Sequence, residues 1–126
     1  MEDIKAIIPV IVKHDLLVIS DEIYAELTYG RKHCSIASFE QMKDRVVLIS
    51  GFSKAFAMTG WRVGYVCAPE LICGAMLKIH QYGIICAPIF SQHAALAGLE
   101  SGKADGYKDV LDMRKEYDKR RKFMYK

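Results

Sequence analysis

The chain has 126 residues, 52% hydrophobic and 26% charged, enough for one globular domain with a buried core and unlike a disordered polymer. Its net charge of +3 is too small to single out a polyanionic partner. No apolar run approaches the length of a membrane span, and residues 1–12, which include Glu2, Asp3 and Lys5, lack the form of a secretory leader.

Residues 4–15 carry apolar positions at a helical period, so they predict a helix that is either kinked at Pro9 or begins close to it. The short run LLVIS (16–20) predicts a strand buried on both faces, ending at Asp21. Residues 25–38 mix Gly30, charges and serines and read as an irregular connection, followed by a short helix over 39–44. RVVLIS (45–50), rich in β-branched residues, is a second buried strand. A loop around Lys54 follows, then a third strand over 62–68 closed by Pro69. Residues 70–82 predict a helix, Gly83 and Pro88 break the chain, and 90–100 predict another helix stopped at Ser101-Gly102. Residues 105–126 form an amphipathic helix with Val110, Leu111, Met113, Tyr117, Phe123 and Met124 as its apolar members. Alternating strands and helices predict an α/β fold: a three-layer, mainly parallel sheet with flanking helices. Both ends fall inside helices rather than in polar linkers, so the expectation is an incomplete domain.

Asp21 and Lys54 each follow a buried strand, and ligands of open α/β sheets bind at that edge. Taken singly, Asp21 reads equally as a turn or helix-capping residue and Lys54 as a solvated loop lysine. Arg62 lies eight positions after Lys54 among small residues. The four histidines and the four cysteines (34, 67, 73, 86) show neither metal-ligand nor disulfide spacing, which predicts reduced thiols in a cytoplasmic protein. The basic run after Arg114 is interrupted by Glu116 and Asp118 and reads as a solvated helix face, not a nucleic-acid surface.

The stretch GFSKAFAMTGWRVG (51–64) resembles the pyridoxal-phosphate attachment signature of the class I/II, fold type I, aminotransferases. VISDEIYAEL (18–27) resembles that family's second landmark, with an aspartate three residues before a tyrosine, and the spacing between the two also fits. The resemblance covers essentially the whole chain. It implies that Lys54 forms a Schiff base with pyridoxal 5′-phosphate and later acts as general base. It implies that Asp21 pairs with the pyridine nitrogen and that Tyr24 hydrogen-bonds the ring oxygen. It assigns Arg62 to the cofactor phosphate, which suits a planar fork, and Ser53 to the same group. Some members place a serine three before the lysine; this chain has Gly51 there and Ser50 one further back. Gly60 and Gly64 fit as points of close backbone packing or turning.

The resemblance further implies a division of the chain. Residues 1–104 belong to the cofactor-binding large domain, and 105–126 begin a long helix leading toward a small domain. The implied activity moves an amino group from an amino acid to a 2-oxo acid in a cytoplasmic homodimer, without membrane or nucleic acid. The family's phosphate-capping turn, ring-stacking aromatic and substrate-binding arginine are not located in these residues, so this chain alone is expected to be inactive. A lyase or synthase of the same fold, or a non-catalytic module, are the other readings.

Overall fold

The computed structural model describes residues 1–125. Packing divides them into two units. The first comprises Met1–Glu22, Cys34–Ser50 and Gly64–Cys86; the second comprises Ile23–His33, Gly51–Val63 and the chain from Ala87 onward.

In the first unit, helix α1 (Glu2–Lys13) runs without interruption through Pro9, so the helix does not begin there. The proline removes one backbone donor. Glu2 and Asp3 at one end and Lys13 at the other complement the helix dipole. Ile4, Ile8 and Ile11 share one face and pack with Ile36, Met42 and Val46. Met42 is fully buried, which contributes roughly 1.5–3 kcal/mol. Two 3₁₀ turns, Ile36–Ser38 and Glu40–Met42, carry Ile36 and Met42 into this core.

Strand β1 (Val18–Asp21) pairs in parallel with β2 (Val46–Gly51), in the register Val18↔Val46 through Asp21↔Ile49. Strand β3 (Gly64–Cys67) flanks β2 on its other side. β1 starts two residues later than LLVIS suggests, because its ladder opens where the Val18 N–H donates to the Arg45 carbonyl at 2.8 Å. Asp21 is consequently its last residue, not the one after it. Nor is β1 buried on both faces: Val18 packs toward the core while Ile19 is 69% exposed. Helix α2 (Glu70–Gly83) starts after Pro69 and buries no residue, leaving Leu71, Ile79 and Tyr82 exposed.

The second unit contains the 3₁₀ turn Ala25–Leu27, the lysine loop, helix α3 (Ile89–Asp105) and helix α4 (Lys108–Met124). Phe52, Met58, Val63 and Ala95 form its core, with Phe56 and Ala94 against them. α3 continues past the expected stop at Gly102 and ends at Gly106, which is left-handed at φ 72°. The N–H groups of both Gly106 and Tyr107 donate to the Gly102 carbonyl, the latter at 2.7 Å. This closure satisfies a terminal carbonyl. Gly102 matters for a different reason. A Cβ there would lie 2.3 Å from Cδ1 of Tyr107, so the missing side chain is what admits the ring.

α4 buries Val110, half-buries Met113 and exposes Leu111, Tyr117, Phe123 and Met124. Its surface carries ion pairs one turn apart, among them Lys115–Asp112, Arg120–Glu116 and Lys122–Asp118. Hydrogen bonds from Lys115, Arg120 and Lys122, respectively, hold the carboxyls of Asp112, Glu116 and Asp118 below their ordinary range. The Arg121 guanidinium lies 5.3 Å from the Tyr29 ring centroid.

Candidate active site

In the second unit, the residues after β2 curl into a loop that closes on its own backbone. The Met58 N–H donates to the Phe52 carbonyl at 3.2 Å, and the Ala57 N–H to the Lys54 carbonyl at 3.2 Å. Thr59 Oγ1 donates to the Ser53 carbonyl at 2.8 Å. Buried Phe52 and Met58 anchor both arms of this curl, and Ala55 is buried between them. The curl requires left-handed backbone at Ala57 (φ 53°) and Arg62 (φ 52°), neither a glycine. Such outliers store strain and cluster at functional sites. Gly60 is not left-handed and a Cβ there would meet nothing within 4 Å; it lies in the 3₁₀ turn Thr59–Trp61, so of close packing or turning it serves the turn.

Lys54 is half-buried, with its Nζ 5.6 Å from the ring centroid of exposed Tyr24. Ser53 precedes it and is half-buried. Arg62 is exposed, and its guanidinium folds back to donate to the Thr59 carbonyl at 2.8 Å. Among the described residues it pairs with no carboxylate. The second unit thus brings together Tyr24, Ser53, Lys54 and Arg62. A tilted aromatic stack, Phe52 on Phe56 at 5.3 Å and Phe56 edge-on to Tyr107 at 6.3 Å, backs the lysine loop. Beside it lies a cavity of about 270 Å³, lined by Ala55, Phe56, Met58, Gly98, Tyr107 and Val110 among others but by neither Lys54 nor Arg62.

In the first unit, Asp21 is exposed at the end of β1. The next residue, Glu22, is 8% exposed, and its carboxylate accepts from Ser35 Oγ at 2.7 Å and Ser20 Oγ at 3.1 Å. Its N–H donates to the Ile49 carbonyl at 2.8 Å. Ser50 donates its hydroxyl to the Glu22 carbonyl at 3.5 Å and so ties the ends of β1 and β2 together. Glu22 at the strand end of the first unit, and in the second unit Thr59 and buried Ser91, whose hydroxyl donates to the Trp61 carbonyl at 2.6 Å, are supporting residues given no role from the sequence. Glu22 has a signal in its place beside Asp21 and Thr59 in lying within the 51–64 stretch, whereas Ser91 has none. Among the described residues no three His, Cys, Asp or Glu side chains converge as metal ligands, and no helix is long and apolar enough to cross a membrane.

A family model for aminotransferase class I and II matches residues 1–126. A Bacillus subtilis protein carrying an aminotransferase name is 58% identical over 109 residues, 86% of this chain and 27% of its own length. The aspartate aminotransferase of Pyrococcus abyssi is 46% identical over 126 residues, 99% of this chain and 32% of its own length. The solved aromatic aminotransferase of Pyrococcus horikoshii superposes with a TM-score of 0.93 at 45% identity, over 98% of this chain and 33% of that one. The chain therefore spans about a third of the length of the relatives it matches.

Proposed function

The chain belongs to the class I and II aminotransferase family, and from that premise we propose that it supplies the lysine-bearing part of an enzyme transferring an amino group from an amino acid to a 2-oxo acid. The family uses pyridoxal 5′-phosphate. The observation that carries the reading is the closed loop 51–63, which sets an amine and a guanidinium in one hydrogen-bonded turn. The donor set fits such a cofactor: an amine for its aldehyde, a guanidinium that among the described residues has no carboxylate partner for its phosphate, and a further hydroxyl from Ser53, next to the lysine.

When bound, the cofactor supplies an electron sink for the substrate's α-carbon. Lys54 would hold the cofactor's aldehyde through Nζ, and its free amine would serve as the base that carries the substrate proton. Arg62, whose guanidinium donates to the Thr59 carbonyl, would hold the phosphate by a stronger, charge-assisted contact. Ser53 donates its hydroxyl to the same group. From the family resemblance, Asp21 would keep a proton on the ring nitrogen and Tyr24 would donate to the ring oxygen. Residues 1–104 form the cofactor-binding part, and 105–126 start the connection toward the rest of a cytoplasmic homodimer. Names of the relatives point to acidic and aromatic amino acids as the donors to test. Turnover by these 126 residues alone is expected to be weak or nil.

The test is to mix the purified chain with pyridoxal 5′-phosphate, reduce with borohydride and map the modified lysine by mass spectrometry. The expected result is an adduct concentrated on Lys54, with an absorption band that Lys54→Ala abolishes. Labelling spread evenly over the surface lysines would defeat the proposal.

A further inference from the structure

We infer that Ser91 is a positioning residue for Arg62, setting the backbone from which the guanidinium reaches an anion; the inference rests on the assignment of Arg62 to the cofactor phosphate. Arg62 adopts φ 52°, ψ 47°, a conformation that crowds the Cβ of any residue but glycine and persists only where neighbours over-determine it. The rotation concerned is about the N–Cα bond of Arg62. One side of that bond is fixed by the peptide plane joining Trp61 to Arg62, whose oxygen is the Trp61 carbonyl.

That carbonyl accepts the Ser91 hydroxyl at 2.6 Å, a short bond for this type. Ser91 itself is 5% exposed in the first turn of α3, so its position is set by packing. A serine in a helix commonly bonds its own backbone, to an N-terminal N–H or to a carbonyl one turn back. Ser91 instead donates to a partner thirty positions away in sequence. The preceding plane is held as well, by the Trp61 N–H donating to the Met58 carbonyl at 3.1 Å. Beyond Arg62, buried Val63 accepts from the Phe52 N–H at 3.5 Å, so the chain is held on both sides of Arg62; its left-handed turn joins the two held ends, and the side chain leaves the loop on the side of Thr59. The single hydroxyl proton of Ser91 is committed to the Trp61 carbonyl. Its effect reaches an anion solely through Arg62.

The experiment compares the chain with Ser91→Ala, Ser91→Thr, Arg62→Ala and the Ser91→Ala/Arg62→Ala double variant. Each is titrated with pyridoxal 5′-phosphate and with pyridoxal, which lacks the phosphate, and amide hydrogen exchange over residues 59–63 is followed without cofactor. Ser91→Ala is expected to raise the Kd for pyridoxal 5′-phosphate about tenfold, or 1.4 kcal/mol, and to leave that for pyridoxal unchanged. Ser91→Thr, which keeps the hydroxyl, should restore binding. In the Arg62→Ala background the same serine change should cost nothing further. Exchange over 59–63 should quicken in Ser91→Ala while the rest of α3 keeps its protection. Equal losses for both ligands, additive losses in the double variant, or unchanged exchange over 59–63 would each overturn the inference. If the unsubstituted chain binds neither ligand, the cofactor reading falls with it, and the exchange data alone then decide whether Ser91 holds Arg62.

Discussion

Replacing Gly102 with alanine would put a Cβ 2.3 Å from Cδ1, 2.5 Å from Cε1 and 3.2 Å from Cγ of Tyr107. These atoms include the root of the ring, so a small tip of the side chain does not clear them and the ring must leave its place. Alanine gains about 1 kcal/mol over glycine in a helix interior. Against this stand overpacking of about 1–3 kcal/mol and loss of the edge-on pair between Tyr107 and Phe56, about 0.5–1.5 kcal/mol. The net is a destabilisation of about 2 kcal/mol. Gly74, in exposed α2, is the internal control, because a Cβ there meets nothing within 4 Å and alanine should stabilise by about 1 kcal/mol. With a urea m-value of roughly 1.5 kcal/mol/M, the midpoints should move down by about 1.3 M for Gly102→Ala and up by about 0.7 M for Gly74→Ala. In a Tyr107→Ala background, Gly102→Ala should turn from costly to favourable. A Gly102→Ala midpoint at or above that of the unsubstituted chain would refute the steric argument. The consequence reaches the reactive loop, since the displaced ring backs Phe56, which in turn packs on Phe52, two residues before Lys54.

Glu22→Ala should destabilise the first unit by about 2–3 kcal/mol, because the Ser20 and Ser35 hydroxyls lose a charged acceptor in a buried setting. An unchanged urea midpoint would show that the carboxylate is dispensable. On α4, the folded carboxyls of Asp112, Glu116 and Asp118 titrate below their ordinary values of 3.8, 4.5 and 3.8. Groups depressed in this way stabilise the helix fully above the unfolded values and lose that contribution as pH falls through the folded ones. The helix should therefore hold its ion pairs from neutrality down to about pH 5 and shed them below about pH 4. Carboxyl NMR titration midpoints at or above the ordinary values would contradict the ion-pair geometry.

The order of strands and helices was legible because β-branched runs and proline breaks are local signals, and VISD and VVLIS mark their strands plainly. What escaped is what tertiary contact decides. SGKADG contains two glycines, either of which can stop a helix; the choice of Gly106 follows from the fit of Tyr107 over Gly102, which no pattern in the segment reveals. Likewise LLVIS looks like a doubly buried strand, yet burial depends on cover supplied from elsewhere, and Ile19 has little. For the site, the lysine loop was legible as a motif, while Thr59 and Ser91 act through single hydroxyl bonds to carbonyls and leave no periodic trace. The left-handed residues of the loop are Ala57 and Arg62, neither a glycine, and nothing in the loop's composition marks either of them.

The pairing Val18↔Val46 has a consequence beyond stability. Side chains alternate across a strand, so a slip of one residue turns the whole of β1 over. Val18 would leave the core, and the carboxylate of Asp21 would emerge from the opposite side of the sheet. Arg45 guards that phase twice, with its carbonyl accepting from Val18 and its guanidinium gripping Asp15 at 2.8 Å. An arginine with no part in the chemistry therefore sets the parity on which the orientation of Asp21 depends.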